Sequence, residues 1–250
     1  MRCWTTWTAE GSPGRRVGGW LRRYHDTVRG FRPPEGAAWR LATRPWQPGD
    51  VIAHNDAAPY NAVWQPDPRT GGRLVGFIDW DFAAPQAPVW DLAYTVFSWV
   101  PLHARHVVTG EGFTDLAARP RRLRTLLEAY GWNGTLDEIL DAVTARITAH
   151  IDDVRQLAAH DPLFAQLLDA GVTDDLNQAL TEIAVNRAEL TTDHCPVTDP
   201  HVVTARKPSA IHRRRATAAP ARRSVYGSTA DDEPRSPPRG PGGRAVRAVG

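Results

Sequence analysis

Val51-Ile52-Ala53-His54-Asn55-Asp56-Ala57-Ala58-Pro59-Tyr60-Asn61, followed by Ile78-Asp79-Trp80-Asp81, is the stretch on which the reading of this chain turns. Val51-Ile52-Ala53 predicts a short strand that delivers the polar triplet His54-Asn55-Asp56 to its end. Residues 62–65 and 74–78 read as two further strands. Between them, Pro66-Asp67-Pro68-Arg69-Thr70-Gly71-Gly72 is dense in turn formers, which predicts a hairpin. A hairpin returns its two ends to one place, so Asp56, Asn61 and Asp79 can converge.

Those three residue types suit phosphoryl transfer to a hydroxyl. Such a site needs one carboxylate beside the attacking oxygen, and oxygen ligands for the Mg²⁺ that bridges the nucleotide phosphates. Asp56 is the candidate base, and Asn61 and Asp79 are the candidate metal ligands. An Asp ahead of Pro59 could equally form a simple Asx-turn. The pairing of the pattern with an apolar run ending in Ile78-Asp79 argues for the catalytic reading. Asp81 is either a supporting acid or a solvated strand-end residue. His54 reads as a structural histidine bonding loop backbone. Asp91 either caps the helix it opens or reaches back to hold the catalytic loop, since a buried carboxylate needs such partners.

Outward from this centre the chain reads as mainly helical. Val17, Trp20, Leu21, Tyr24 and Val28 fall at helical spacing, with Gly30 as a stop. Residues 31–50, with paired prolines and Trp39 and Trp46, read as a packed loop. Residues 89–100 are apolar nearly all round and predict a buried helix stopped by Pro101. Residues 119–130 have Pro120 near their start and Gly131 after their end. Thr135-x-x-Glu138 is a capping box opening a long helix with Ile139, Leu140, Val143, Ile147, Ile151, Val154 and Leu157 on one face. Residues 163–168 and 176–190 read as two more helices.

Ten Trp in 250 residues favour a packed body over a disordered one. The cysteines are Cys3 and Cys195, with no spacing for a metal knuckle or a disulfide framework, which fits a reducing cytoplasm. Residues 1–16 read as irregular and carry no apolar signal core. The most apolar run, residues 92–102, is about half the ~20 residues a membrane span needs. The expectation is a cytoplasmic protein with no membrane partner. Residues 196–250 hold 11 Arg and Lys against 4 Asp and Glu, with many prolines and glycines. That composition predicts a disordered basic tail. Specific nucleic-acid binding is not expected of it, because such tails are usually plain solvated chain. Its charge exceeds the whole chain's +2, so the rest carries about −5.

His54-Asn55-Asp56-Ala57-Ala58-Pro59-Tyr60-Asn61, Ile78-Asp79-Trp80-Asp81 and Asp91-Leu92-Ala93 together resemble the aminoglycoside phosphotransferase and choline kinase-like superfamily, over residues 17–190. The resemblance implies an α+β, mainly helical fold: a protein kinase-like C-terminal lobe over residues 17–195, with a small hairpin carrying the catalytic loop. It implies Asp56 as catalytic base, Asn61 and Asp79 as Mg²⁺ ligands, and Asp91 as the acid bracing the loop. ATP would be the co-substrate and a small-molecule hydroxyl, aminoglycoside-like or other, the acceptor. Ala57 departs from the leucine usual after the catalytic aspartate. The family's nucleotide lobe is a sheet with a phosphate-covering loop and a lysine, whereas no Lys precedes His54. On that ground the nucleotide lobe is expected to be largely missing. Two alternatives stand beside the enzyme: a truncated non-catalytic remnant, and a kinase-like immunity or binding protein.

Overall fold

Helical periodicity near the N-terminus becomes a buried seam in the computed structural model, which describes residues 13–40, 44–67 and 72–192. Helix α1 (Pro13–Val28) turns Val17, Leu21 and His25 inward and packs along α4 (Arg119–Tyr130). Gly18 permits the approach, because a Cβ there would run into the Leu126 carbonyl oxygen. The helix starts earlier than expected. Pro13 to Arg16 form its first turn, Pro being suited to that position, so the irregular reading of residues 1–16 is corrected there. Residues 1–12, the tail from 196 to 250 and both cysteines lie outside the described residues.

Four short strands follow: β1 (Val51–Ala53), β2 (Ala62–Gln65), β3 (Arg73–Phe77) and β4 (Ala84–Gln86). β2 and β3 form the expected antiparallel hairpin, Ala62 opposite Phe77. Residues 68–71 of its turn lie outside the described residues. β4 was not legible in the sequence. It pairs antiparallel with β1, placing Pro85 opposite Ile52. Proline argues against a strand because it cannot donate to a ladder, but a two-stranded sheet leaves each strand an edge where that loss is tolerated.

The rest is helical: α2 (Pro88–Trp99), α3 (Arg105–Gly110), α4, α5 (Leu136–Leu157), α6 (Pro162–Asp169), α7 (Val172–Val185) and α8 (Arg187–Thr191). The fold is α+β and mainly helical. α5 opens with the anticipated capping box: the Glu138 N–H donates to Thr135 Oγ1 at 3.1 Å, and the Thr135 N–H to Glu138 Oε2 at 2.6 Å. Its stripe of Ile139, Leu140, Val143, Ile147, Ile151 and Val154 meets Leu92, Val96 and Phe97 of α2 in the core. Asp161 caps α6 by accepting from the Leu163 N–H at 2.9 Å. The helix expected over residues 176–190 is divided at Asn186, whose Nδ2 donates to the Glu182 carbonyl at 2.7 Å. A side-chain amide that binds the i−4 carbonyl competes with the helix's own ladder. Among the described residues no helix is long and apolar enough to cross a membrane.

Burial leaves two imidazoles neutral inside this body. His103 packs its ring on Phe97 at 4.0 Å, and desolvation with the nearby Arg119 charge pushes it down to about 4. His150 on α5, with a buried Nε2 that has no partner, is pushed down to about 3 by desolvation, Arg146 and His103. Unfolding restores both to about 6.5, so the unfolded chain binds more protons below that pH. Stability is therefore full above pH 6.5 and falls as pH drops toward 4. The slope is at most about 1.4 kcal/mol per pH unit for each group. Thermal unfolding at pH 5 is expected several degrees below that at pH 7, and His150→Leu should flatten the dependence.

Candidate functional site

The loop after β1 is assembled by one buried carboxylate. Asp91, in the first turn of α2 and fully buried, accepts from the His54 N–H at 3.0 Å and the Asn55 N–H at 2.8 Å. It also accepts from His25 Nε2 at 3.0 Å. With Nε2 donating, His25 Nδ1 accepts from the Tyr130 hydroxyl at 2.8 Å, so α1 and α4 both bear on the loop through one imidazole. Burial pushes the Asp91 carboxyl up. The His25 hydrogen bond, the neighbouring imidazoles and the Asn55 amide outweigh that and hold it below its ordinary value.

Asn55 stands at φ +64°, a left-handed conformation that Asn tolerates better than most residues. Its Nδ2 donates to the Phe82 carbonyl at 2.9 Å, and its own carbonyl accepts from Arg146 Nη2 at 3.0 Å. Arg146 arrives from α5, buried between the rings of Trp90 and Tyr94. His54 is structural, as its position suggests. Its Nδ1 accepts from the Asp56 N–H at 3.2 Å, which leaves Nε2 to donate to the Ile78 carbonyl at 3.0 Å. Burial lowers its pKa, so it stays neutral. Ala57 is fully buried, and its carbonyl accepts from the Trp99 indole at 2.8 Å.

Asp56 therefore leaves a loop tied to α2, α5 and the 78–82 segment. Its Oδ1 accepts from the Tyr60 hydroxyl at 2.7 Å, and its Oδ2 from Asn61 Nδ2 at 2.9 Å. The Tyr60 and Tyr94 hydroxyls lie 3.3 Å apart. Desolvation pushes the Asp56 carboxyl up to about 6, and the Asp79 charge adds to that. Hydrogen bonds from Tyr60, Tyr94 and Asn61 oppose it. A carboxylate with a pKa near the working pH is well matched to general-base chemistry.

Asn61 also gives an Nδ2 proton to the Asp56 carbonyl at 3.0 Å, so its amide oxygen is the end left to accept. The Ile78 N–H donates to the Asn61 carbonyl at 2.9 Å, which carries the exposed Asp79 to Asn61's end of the hairpin. Asp79 stands at φ +64° and has no hydrogen bond to Asp56; it acts there through its charge. Asp81 sits apart. Its side chain is 70% exposed and lies 3.5 Å from Arg40, which is held more closely by Asp161 at 2.7 Å.

Sequence reasoning missed His25, Tyr60, Tyr94, Tyr130 and Arg146. A signal existed for one of them: His25 extends the Val17–Leu21 stripe by one more turn, and a histidine on a buried face needs a partner.

A few oxygen ligands suit Mg²⁺, which keeps waters and phosphate oxygens in its shell. Among the described residues no group of three or more His, Cys, Asp or Glu is placed to hold a metal ion. The site holds a buried carboxylate, an amide oxygen and an exposed carboxylate, all of them oxygen groups.

The chain is 29% identical over 175 residues to a trifolitoxin immunity protein of Rhizobium leguminosarum bv. trifolii, a match covering 69% of this chain and 60% of that protein. It thus spans less than two thirds of that relative's length. No solved structure matches. Residues 7–135 match the phosphotransferase enzyme family, a span that contains the whole loop from β1 to Asp91 and is not confined to one lobe. With that loop and that match in hand, the chain belongs to the phosphotransferase enzyme family.

Proposed function

We propose that this protein transfers the γ-phosphoryl group of ATP to a hydroxyl of a small molecule in the cytoplasm. The observation that carries this is the Asp56 carboxylate, buried on a loop clamped by Asp91 and aligned by Tyr60 and Asn61. In this reading Asp56 takes the proton from the acceptor hydroxyl as its oxygen bonds to the γ-phosphorus, the bond from that phosphorus to the bridging β-phosphate oxygen breaks, and ADP leaves. Asn61 fixes the carboxylate's orientation through Nδ2, and its amide oxygen and the Asp79 carboxylate would hold the metal. Bound Mg²⁺ would supply charge neutralisation on the phosphate oxygens. Val63, Val75 and Ile78 are exposed on the same hairpin, an apolar surface able to receive a nucleotide base. The charge of about −5 outside the tail suits a cationic acceptor such as an aminoglycoside.

The test is transfer of label from [γ-³²P]ATP to a panel of hydroxylated acceptors, with Mg²⁺ or with EDTA. Transfer is expected with Mg²⁺ alone, and Asp79→Ala is expected to lower it at least tenfold by removing the charged ligand. Transfer indifferent to the metal would overturn the assignment of Asn61 and Asp79.

A second reading rests on the relative's name. The chain would then be a kinase-like immunity protein that binds a peptide toxin. Tyr60 is compatible with it, because its hydroxyl donates to Asp56 Oδ1 while Asn61 holds Oδ2, so both oxygens of the carboxylate already have partners. Absence of transfer to every acceptor, with protection against a peptide toxin that survives Asp56→Ala, would decide for this reading.

A further inference from the structure

Three donors converge on the Asp56 carboxylate. The Tyr60 hydroxyl donates to Oδ1 at 2.7 Å, Asn61 Nδ2 reaches Oδ2 at 2.9 Å, and the Tyr94 hydroxyl adds a third hydrogen bond. A carboxylate offers about four acceptor positions, two on each oxygen. Asp56 is only 8% exposed, so little surface remains on which a substituted hydroxyl could settle beside these donors. Yet an acceptor that gives its proton to Asp56 must come within about 2.6–3.2 Å of one oxygen. One donor has to yield.

The three differ in how firmly they are held. Asn61 is buried, its Nδ2 is shared with the Asp56 carbonyl at 3.0 Å, and its own carbonyl accepts from the Ile78 N–H at 2.9 Å. Tyr94 is buried on α2, with the Arg146 guanidinium over its ring at 5.0 Å. Tyr60 is only half-buried and sits on a single 3-10 turn, Pro59–Asn61. Its hydroxyl also has a second partner within reach, since that of Tyr94 lies 3.3 Å away.

We propose that Tyr60 is a gate on the catalytic base: it fills Asp56 Oδ1 while no acceptor is bound, and yields that oxygen to the acceptor hydroxyl as its own hydroxyl turns to Tyr94. The exchange conserves hydrogen bonds. The bond from Tyr60 to Asp56 breaks, the bond from the acceptor to Asp56 forms, and Tyr94 receives the displaced donor. Hydrogen bonds to charged groups are the stronger ones, so the gate weakens acceptor binding and favours molecules with a hydroxyl to put in its place. The gate rests on the phosphotransferase reading and adds to it what controls access to the base.

The experiment is steady-state transfer by the full-length wild type, Tyr60→Phe and Tyr94→Phe, using the panel acceptor with the highest wild-type kcat/KM and varying acceptor and Mg²⁺-ATP in turn. Tyr60→Phe keeps the ring and loses only the hydroxyl. It is expected to lower the acceptor KM by about fivefold or more, with kcat and the KM for ATP nearly unchanged. Tyr94→Phe is expected to raise the acceptor KM, because Tyr60 then has no hydroxyl to turn to. An unchanged acceptor KM in Tyr60→Phe, or a fall in kcat in its place, would overturn the gate and leave the phosphotransferase reading standing. A lowered acceptor KM in Tyr94→Phe would also overturn it, since a loosened loop and not a freed oxygen would then be admitting the acceptor. No transfer by the wild type or either variant would overturn the phosphotransferase reading, and the gate with it.

Discussion

Asp56→Ala is expected to lower phosphoryl transfer by about 10²–10⁴-fold, the usual contribution of a positioned general base, while the protein keeps its fold. The two effects separate because of how Asp56 is held. Its carboxylate is buried, and the desolvation that pushes it up to about 6 is a cost that alanine removes. The donors it leaves behind have other partners. The Tyr60 hydroxyl lies 3.3 Å from that of Tyr94, and Asn61 Nδ2 also reaches the Asp56 carbonyl, which alanine retains. Thermal unfolding within a few degrees of wild type, measured beside the transfer assay, is the expected pattern. Undiminished transfer in a well-folded variant would mean that the base is elsewhere.

Asp91→Ala should do the reverse and strike stability first. Removing one partner of a buried charged network costs about 3–5 kcal/mol, since it leaves the other groups buried and unmatched. Here those groups are the N–H donors of His54 and Asn55 and the Nε2 of His25, all within buried residues. For a body of this size that is a fall of roughly 10 °C in melting temperature. Asp91→Asn, which keeps one acceptor oxygen, should fall between the two. The sign with pH follows from the lowered pKa of Asp91 in the folded state. Its stabilisation is present above the unfolded value of about 3.9 and is lost as pH falls through the folded value. The variant should therefore lose less stability than the wild type in that acid range. A melting temperature within a few degrees of wild type would show that the loop does not depend on this carboxylate.

Much of the secondary structure was legible because its causes are local. The Thr135 and Glu138 box, the stripe along α5 and the turn residues before β3 each act within a few positions of one another. The family and its candidate residues were legible for the same reason: His54, Asp56 and Asn61 lie in one short segment. β4 was not, because Pro85 argues against a strand everywhere except at an edge, and only the pairing with β1 reveals that edge. The division at Asn186 escaped because the apolar spacing continues across it, while the amide that competes for the Glu182 carbonyl carries no apolar signal.

By itself the sequence determined the family, and it set a carboxylate, an amide and a second carboxylate in an order that a hairpin can bring together. Only the tertiary structure decided which groups stand around them. His25 and Arg146 lie 66 and 91 positions from the residues they hold, Asp91 and Asn55. Nothing local marks Arg146 as a partner of the loop, and the spacing of His25 shows only that it needs a partner, not which one. Asp81, two residues from Asp79, turns outward to Arg40. Burial makes the difference, since a desolvated carboxylate or guanidinium must find partners among whatever elements pack against it. Which elements those are is settled by how α1, α2, α4 and α5 meet.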